Sequence, residues 1–328
     1  MRAFEYTSPK TKEQVIPLLG SSWGEVEVLA GGTDLLSLMK DEITTPKRLV
    51  NIKEIADLHG ITRGPGPGVR FGALATLAEI GRNEGIEKEL PMLAAAASDA
   101  ASPQIRNMAT LGGNLCQRPR CWYFRTGNGL LAKDKDGKSL VERGDNRYHA
   151  ILGNDGPAYF VSPSTVAPVL IAYRATVHLH GPKGMRELPL EKFFVIPRSE
   201  QEREHDLKPN EFVTEILVPP ATNVRAAQYE VRQKEAFDWP YATAAVALTM
   251  NGSKVESARV VLGHVAPIPW VSAEAAQALA GKTITPASAE QAAQAAVAKA
   301  RSLGHNAQKI HLAKVAVKRA ILKAGGVA

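Results

Sequence analysis

The order of polar and apolar residues near the start of the chain predicts a strand, a tight turn and a helix. Residues 25–28 alternate between glutamate and valine, which is typical of a half-buried strand. Residues 35–39 are mostly apolar and begin a helical pattern, and Gly31 and Gly32 stand between the two. With a short strand expected at 49–52, this order predicts a small α/β layer at the start of the chain.

The pattern restarts near residue 58 and continues to a predicted boundary at the two prolines 219–220. A Gly- and Pro-rich turn is expected at 64–68, between two strands. Nearer the N-terminus, a helix is expected to start after Ser8 and to end at Gly20. Further strands are expected at 69–73, 175–180 and 212–218, and further helices at 76–82, 90–101 and 166–173.

The last hundred or so residues show strands followed by helices, which is typical of an α+β domain. An Ala- and Gln-rich helix is expected to start at Thr285 and to stop at Gly304. A final basic amphipathic helix is expected at 307–323, capped by Asn306. The preceding strands, which predict an antiparallel sheet, are expected at 228–232, 242–250 and 257–262.

Residues 115–157 follow neither pattern. Three aromatic residues and three arginines stand close together between Cys116 and Arg125, and a polar, Gly- and Lys-rich stretch comes after them. A long segment of this kind inside a compact domain is usually functional or mobile.

Composition narrows the class of protein. A chain of 328 residues that is 45% hydrophobic can bury the cores of two or three domains. Two cysteines and no apolar signal segment near the N-terminus favour a cytoplasmic protein over a disulfide-built secreted one. The formal charge of +7 is spread out and is not interleaved with aromatic residues, so we expect no nucleic-acid partner. The longest apolar run, 239–250, is too short to span a membrane.

The first glycine pair has the chemistry of an anion site. Glycine lets the backbone take a positive φ and lets a ligand approach without a Cβ in between. Thr33 and Asp34 can cap the helix that follows, and free N–H groups at a helix start attract anions. The stretch is either a diphosphate cradle or an ordinary strand-to-helix turn, and alone it does not decide between them.

A second glycine pair changes that balance. Gly112 and Gly113 stand between Thr110 and Asn114, about eighty residues downstream of the first pair. Two such turns with hydroxyl or amide neighbours can hold a diphosphate from both sides. Neither pair has the GxGxxG or GxxxxGK[ST] spacing, so Rossmann and P-loop sites are not predicted.

Together, the glycine pairs and the stretches 106–114 and 116–125 resemble the FAD-binding (medium) subunit of the molybdenum hydroxylases. This is the group of xanthine dehydrogenase, aldehyde oxidoreductase and carbon monoxide dehydrogenase. Residues 262–270 and 311–314 resemble the C-terminal domain of the same subunit, so the resemblance covers nearly the whole chain.

The resemblance implies an α+β fold with two domains. A two-subdomain FAD-binding domain of the PCMH type would precede a carbon monoxide dehydrogenase flavoprotein-like C-terminal domain with an antiparallel sheet plus helices. The expected bounds are 1–220 for the first domain, about 1–57 and 58–220 for its subdomains, 115–157 for its loop, and 222–325 for the second domain.

The resemblance also implies the residues that bind FAD. The two glycine segments would hold the diphosphate through backbone N–H groups and side chains, and the segments around Ile151 and Ser162 would border the adenosine and ribityl parts. Within 229–238, Arg232 and Lys234 would lie near the isoalloxazine, where a cation stabilises the anionic reduced flavin. For Lys234, a plain salt bridge is the alternative. No catalytic residue and no metal ligand is expected. The expected cofactor-binding residues are Leu29, Ala30, Gly31, Gly32, Thr33, Asp34, Thr110, Gly112, Gly113, Asn114, Ile151, Leu152, Ser162, Ser164, Arg232 and Lys234.

Some members of this family carry a 4Fe-4S cluster in the loop after the second glycine pair, bound by four cysteines. This chain has only Cys116 and Cys121 there and no other cysteine. Two thiolates do not complete such a site, so we expect that the cluster has been lost and the loop retained.

The resemblance therefore implies an FAD-binding electron-transfer subunit of a heteromeric molybdenum hydroxylase. Its partners would be a molybdenum cofactor-binding large subunit, a 2Fe-2S small subunit and an external acceptor such as NAD+. The alternative is a self-contained flavin-dependent oxidoreductase that acts on its own small-molecule substrate, and a third possibility is a scaffold that has lost its cofactor. The basic final helix is either a face for a partner or a solvated surface.

Overall fold

Three β-sheets organise the computed structural model, which describes residues 1–63, 66, 68–234 and 237–327. The strands are β1 (Glu5–Thr7), β2 (Val26–Leu29), β3 (Arg48–Asn51), β4 (Ile61–Arg63), β5 (Val69–Gly72), β6 (Thr176–Gly181), β7 (Gly184–Pro189), β8 (Phe212–Val218), β9 (Val224–Val231), β10 (Ala242–Asn251), β11 (Lys254–Gly263) and β12 (Trp270–Val271).

Helices cover these sheets and make the fold α+β, as expected. They are α1 (Lys12–Val15), α2 (Leu35–Lys40), α3 (Leu77–Arg82), α4 (Glu84–Glu89), α5 (Pro91–Asp99), α6 (Pro103–Met108), α7 (Leu111–Cys116), α8 (Trp122–Arg125), α9 (Leu140–Arg143), α10 (Ala167–Ala172), α11 (Leu190–Phe193), α12 (Ala273–Leu279), α13 (Pro286–Ala296) and α14 (Gln308–Gly325), with 3₁₀ turns at Ile16–Leu18 and Ala56–Leu58. None of the helices in these described ranges is long and apolar enough to cross a membrane.

The first sheet is parallel, with the order β1-β3-β2, and confirms the predicted α/β layer. The helix predicted to start after Ser8 is wrong at its beginning. Thr11 caps α1 by accepting a hydrogen bond from the Gln14 backbone N–H, while the Ser8 hydroxyl accepts one from the Asn51 side chain. Ser8 is therefore used to join the ends of two strands.

The second sheet is antiparallel, with the order β4-β5-β8-β6-β7. The predicted helix start at Thr76 is confirmed, because Thr76 and Glu79 form a reciprocal capping box. Large apolar side chains such as Phe71, Leu93 and Phe193 pack between this sheet and the helices α3, α5, α10 and α11. The predicted turn at 64–68 lies partly outside the described residues.

The third sheet is antiparallel, as predicted, with the order β12-β11-β10-β9. Helices α12, α13 and α14 cover one face and share a core with it. Two helix ends differ from the prediction. Helix α13 ends at Ala296 rather than at Gly304, and Asn306 does not cap α14, because its side chain bonds elsewhere.

The segment 146–154 of the loop packs against the C-terminal domain rather than projecting from the fold. The amide of Asn306 donates hydrogen bonds to the carbonyl oxygens of His149 and Ala150, and the Lys309 ammonium donates to those of Tyr148, His149 and His264. We call the contact between 146–154 and the C-terminal domain the interdomain seam. Its many buried polar partners indicate that this part of the loop is fixed by packing.

Candidate cofactor site

Both glycine pairs lie on the wall of one cavity of about 190 Å³, which is partly open to solvent. Gly31 and Gly32 line it from the turn between β2 and α2, and Gly112 and Gly113 line it from α7. The residues between α11 and β8 form another part of the wall. Two segments that are far apart in the sequence therefore face the same space.

The first glycine segment is a turn that leaves backbone N–H groups unused. A Cβ at Gly31 would lie 1.8 Å from the backbone oxygen of Met108, so α6 packs directly on this residue. Gly32 has a φ of +73°, which favours glycine. Among the described residues, nothing accepts a hydrogen bond from the backbone N–H of Gly31, Gly32 or Thr33. Three successive N–H groups beside a cavity form a site suited to an anion.

The second glycine segment is the first turn of helix α7 rather than a tight turn, and it differs from the prediction in what it offers. The N–H of Gly112 donates to the backbone oxygen of Ala73 at 2.9 Å, and the N–H of Gly113 donates to the capping hydroxyl of Thr110 at 3.1 Å. The expected backbone donors are therefore already used within the fold. Gly113 is exposed at the cavity, so this segment contributes a surface without side chains that a ligand can approach closely.

Asp34 lies at the first position before α2, but its carboxylate does not cap that helix, so this part of the prediction is wrong. The carboxylate instead accepts a hydrogen bond from the backbone N–H of Arg118 at 2.8 Å. It also contacts the guanidinium groups of Arg120 at 3.0 Å and Arg125 at 2.8 Å. The loop after α7 thereby closes over the first glycine turn.

A second ion pair on the cavity wall escaped the sequence analysis. The Glu27 carboxylate lies 3.1 Å from the Arg203 guanidinium, which stacks over the Trp23 ring at 4.6 Å. Burial raises the pKa of Glu27 to about 7. Glu27 belongs to the alternating strand 25–28, and a charged residue on the partly buried side of a strand was the available signal. The remaining wall is largely apolar, with Leu38 and Phe212 among its residues.

Comparison with known proteins decides the family. A family model described as "FAD binding domain in molybdopterin dehydrogenase" matches residues 2–221, and one described as "CO dehydrogenase flavoprotein C-terminal domain" matches residues 227–324. The chain belongs to this family. It is the FAD-binding, medium type of molybdenum hydroxylase subunit, as the resemblance implied, and an oxidoreductase subunit.

Known proteins match this chain over most of its length. The carbon monoxide dehydrogenase medium chain of Hydrogenophaga pseudoflava is 30% identical over 90% of this chain and 86% of its own length. The aldehyde oxidoreductase FAD-binding subunit of Escherichia coli is 31% identical over 82% of this chain and 84% of its own length. A solved structure of the Hydrogenophaga pseudoflava carbon monoxide dehydrogenase superposes with a TM-score of 0.78 at 30% identity, covering 100% of this chain and 99% of that one.

The cavity of this flavoprotein subunit fits the cofactor of its family. The diphosphate of FAD is a dianion, and unused N–H groups with a bare glycine surface on the same wall are what such a group needs. Thr33 and Thr110 supply hydroxyls on the same wall. The residues present therefore fit FAD at this place.

The other expected cofactor residues lie in several surroundings. Leu29 is buried beneath the first turn, and Ala30 lines the cavity. The hydroxyl of Ser164 donates to the Asn114 side chain at 2.7 Å, which ties its segment to α7. The buried Ser162 donates its backbone N–H to the backbone oxygen of Ala266.

The remaining four expected residues lie in the C-terminal domain or against it. Ile151 and Leu152 are fully buried in the core of that domain, and neither lines the cavity of the glycine pairs. Arg232 is ion-paired to Glu230, with its Nε at 2.6 Å from Oε2, and Lys234 is exposed. Their roles toward FAD stay predictions, and the stretch 229–238 is partly outside the described residues.

His264 was noticed only as part of a C-terminal motif. It is buried, it has a φ of +61°, and its ring lies against the backbone of Pro163, without a hydrogen bond of ordinary geometry to either nitrogen in the described part of the chain. Burial lowers its pKa to about 3, so the ring is neutral. The exposed Trp239 lies beside it, with ring centroids 6.3 Å apart.

The two cysteines lie apart from any cluster of metal ligands. Cys121 contacts the ring of His149 at 3.1 Å, and Cys116 lines the cavity. Burial raises the pKa of Cys116 to about 12 and also raises that of Cys121, so both are thiols at neutral pH. Within the described ranges, no group of three or more His, Cys, Asp or Glu side chains is placed to hold a metal ion. The loss of the 4Fe-4S cluster stays a prediction.

Proposed function

We propose that this chain is the FAD-binding electron-transfer subunit of a heteromeric molybdenum hydroxylase. In this proposal it accepts electrons from a 2Fe-2S small subunit, after a molybdenum cofactor-binding large subunit has oxidised the substrate. It passes them to an external acceptor such as NAD+. FAD, when bound, supplies the exchange between one-electron and two-electron transfer, and the chain's own residues bind it, orient it and shield it from water.

One observation carries the proposal. The unused N–H groups of Gly31, Gly32 and Thr33 lie on the same cavity wall as the bare surface of Gly113. A dinucleotide cofactor needs such a site for its diphosphate, and the family is one of FAD-binding domains. Partner subunits are inferred from the relatives, which are named as medium chains and as FAD-binding subunits.

The basic final helix is a weak candidate for the partner face. Lys314 and Lys318 both pair with Glu290, at 3.0 and 2.9 Å, and the Arg319 guanidinium stacks over the ring of Tyr229. Three of its cations are thus engaged within the chain. The solvated-surface interpretation therefore has more support.

The test is to express the chain with its candidate partner subunits, purify the assembly and analyse it for flavin, iron and molybdenum. We expect stoichiometric FAD, and we expect substrate to reduce the flavin in the assembly but not in the chain alone. Turnover of a small molecule by the chain alone would support the self-contained oxidoreductase instead. A colourless assembly without flavin would contradict both.

Gly113→Ala locates the site. A Cβ at Gly113 would lie 2.8 Å from the Thr110 hydroxyl and would occupy the bare surface at the cavity, so we expect at least about tenfold weaker FAD binding. Gly85→Ala is the matched control, because Gly85 also lies in the first turn of a short helix, with its Cβ position 3.1 Å from the capping oxygen of Asn83. Gly85 does not line the cavity, so its variant is expected to retain FAD. Equal loss of flavin in both variants would contradict the assignment of this cavity as the FAD site.

A further inference from the structure

The position of Asp34 poses an electrostatic problem. Asp34 lines the cavity and comes immediately after the row of unused N–H groups that suits a diphosphate. An ionised carboxylate accepts hydrogen bonds and donates none, so it is a poor partner for a phosphate. At a partly buried site, the repulsion between the two anions is screened less than in water. Asp34 needs a role other than direct contact with phosphate.

The neighbours of Asp34 indicate that role. One carboxylate oxygen accepts the backbone N–H of Arg118, and the other contacts the guanidinium groups of Arg120 and Arg125. All three arginines belong to the loop segment 118–125. A single carboxylate thus fixes the backbone of the loop at one point and the side chains of two arginines at another.

The cluster carries more positive than negative charge. Arg118 pairs with the buried Glu204 at 2.8 Å, so three guanidinium groups face the two carboxylates of Asp34 and Glu204. When it is ionised, the neighbouring pair of Glu27 and Arg203 adds one charge of each sign and leaves the excess unchanged. The side chains of Arg118 and Arg120 are 18% and 28% exposed, so water screens the excess positive charge only in part. This partly buried excess of positive charge lies beside a cavity whose wall carries unused N–H groups. Both features are complementary to an anionic ligand.

One arginine of the cluster relates it to the cavity. Arg118 lines the cavity together with the two glycine pairs, whereas Arg120 and Arg125 do not. Arg120 spans from Asp34 to the ring of Trp239, over which its guanidinium carbon lies at 5.0 Å. Its buried Nε has no hydrogen-bond partner in the part of the chain that the structure describes.

We propose that Asp34 is a positioning residue that holds the loop segment 118–125 so that Arg118 forms the cationic wall of the FAD diphosphate site, with the charges of Arg120 and Arg125 next to it. The loop 115–157 then belongs to the cofactor site even without a metal cluster. Asp34 neutralises part of the arginine charge, and it keeps the guanidinium groups at a fixed distance from the phosphates. This inference rests on the proposed function, because it takes the ligand to be FAD.

The direction in which one substitution changes the affinity for FAD tests the proposal. Asp34→Asn removes a negative charge next to an anion, so direct repulsion alone predicts tighter binding. Loss of the arginine positions predicts the opposite, and we expect FAD binding to weaken about 10- to 100-fold. The measurement is rebinding of FAD to the deflavinated assembly, followed by flavin fluorescence. Riboflavin, which lacks phosphate, is the second probe, and its binding should change little.

Asp155→Asn is the control for net charge, because Asp155 pairs with Arg301 at 3.1 Å outside this cavity. Arg118→Gln keeps the proposal testable if the Asp34 variant does not fold, and it should also weaken FAD more than riboflavin. The variant with both substitutions should lose less free energy of FAD binding than the sum of the losses in the two single variants, because both residues belong to one cluster.

Three outcomes would overturn the inference. They are tighter FAD binding by Asp34→Asn, equal losses for FAD and riboflavin, and additive losses in the double variant. Failure of the unmodified assembly to bind FAD at all would instead contradict the proposed function and would be seen before any variant is compared.

Discussion

Gly31→Ala is the substitution whose effect follows most directly from the geometry of the fold. The added Cβ would lie 1.8 Å from the Met108 backbone oxygen and 2.7 Å from its carbonyl carbon. Both atoms belong to the backbone, so no change of rotamer relieves the overlap. The turn or α6 has to move by roughly 1.5 Å in a closely packed layer. We expect the free energy of unfolding to fall by about 3 kcal/mol, which is roughly a 100-fold change in the folding equilibrium.

Gly24→Ala provides the matched control for this prediction. Gly24 has a φ of +88° and nothing within 4 Å of its Cβ position, so its cost of about 1 kcal/mol is conformational alone. Denaturant unfolding of both variants and the wild type, with flavin removed, measures the two costs. Because the turn itself is displaced, Gly31→Ala should also lose FAD. If the two variants are equally stable, the close approach of α6 to the first glycine turn is wrong.

Two further predictions concern buried groups. His264 has a folded pKa of about 3 against an ordinary value of 6.5, so its neutral form stabilises the fold fully above pH 6.5 and progressively less as the pH falls toward 3. In His264→Asn, which tolerates the positive φ, the free energy of unfolding should fall less between pH 7 and pH 4.5, and an unchanged pH dependence would contradict this. Lys309→Met removes the donor that the carbonyl oxygens of Tyr148, His149 and His264 share, of which the His149 oxygen keeps the Asn306 amide, and it should cost about 3 kcal/mol in thermal or denaturant unfolding. Lys314→Met, which breaks a partly exposed pair with Glu290, should cost under about 1 kcal/mol, and equal costs would show that the interdomain seam is not fixed by Lys309.

Elements with a strong local pattern were predictable from the sequence. The strand β8 was predicted with the bounds that the structure has, and the helix start was predicted at Thr76, where the structure adds the reciprocal bond with Glu79. Both depend on neighbours within a few positions of the chain. The antiparallel sheet of the C-terminal domain was predictable for a similar reason, since its strands follow one another along the chain and β10 and β11 are joined by two residues only.

Elements whose partners are distant in sequence were not predictable. Asn306 has the residue type of a helix cap, but its amide donates to the carbonyl oxygens of His149 and Ala150, more than 150 residues away. Ser8 was predicted to cap a helix and instead joins Asn51. In each case a side chain that suits a helix cap bonds instead to a partner that is distant in the sequence. The local sequence pattern does not predict that partner.

The candidate site shows the same division. That glycine pairs mark it was predictable, because glycine is what close backbone approach and positive φ require. What each pair does was not, since only the fold shows that Gly31 accommodates α6 and that the N–H of Gly112 is already used. His264 carried no local signal, because its unusual φ and the burial of its ring arise from packing against other elements.

The error over Asp34 explains how the loop segment 118–125 is held to the first glycine turn. A side-chain cap by Asp34 on the N–H groups in the first turn of α2 would be worth about 1 kcal/mol. The alternative partners are two guanidinium groups and a backbone N–H at 2.8 to 3.0 Å, in a partly buried place where charge-assisted bonds are stronger. The arginines therefore win the carboxylate, and the loop segment 118–125 is tied to the turn that carries the unused N–H groups of Gly31, Gly32 and Thr33. Had Asp34 capped the helix, its carboxylate would have accepted from N–H groups inside the first turn of α2, and the arginines of this segment would have lost the anion that holds them.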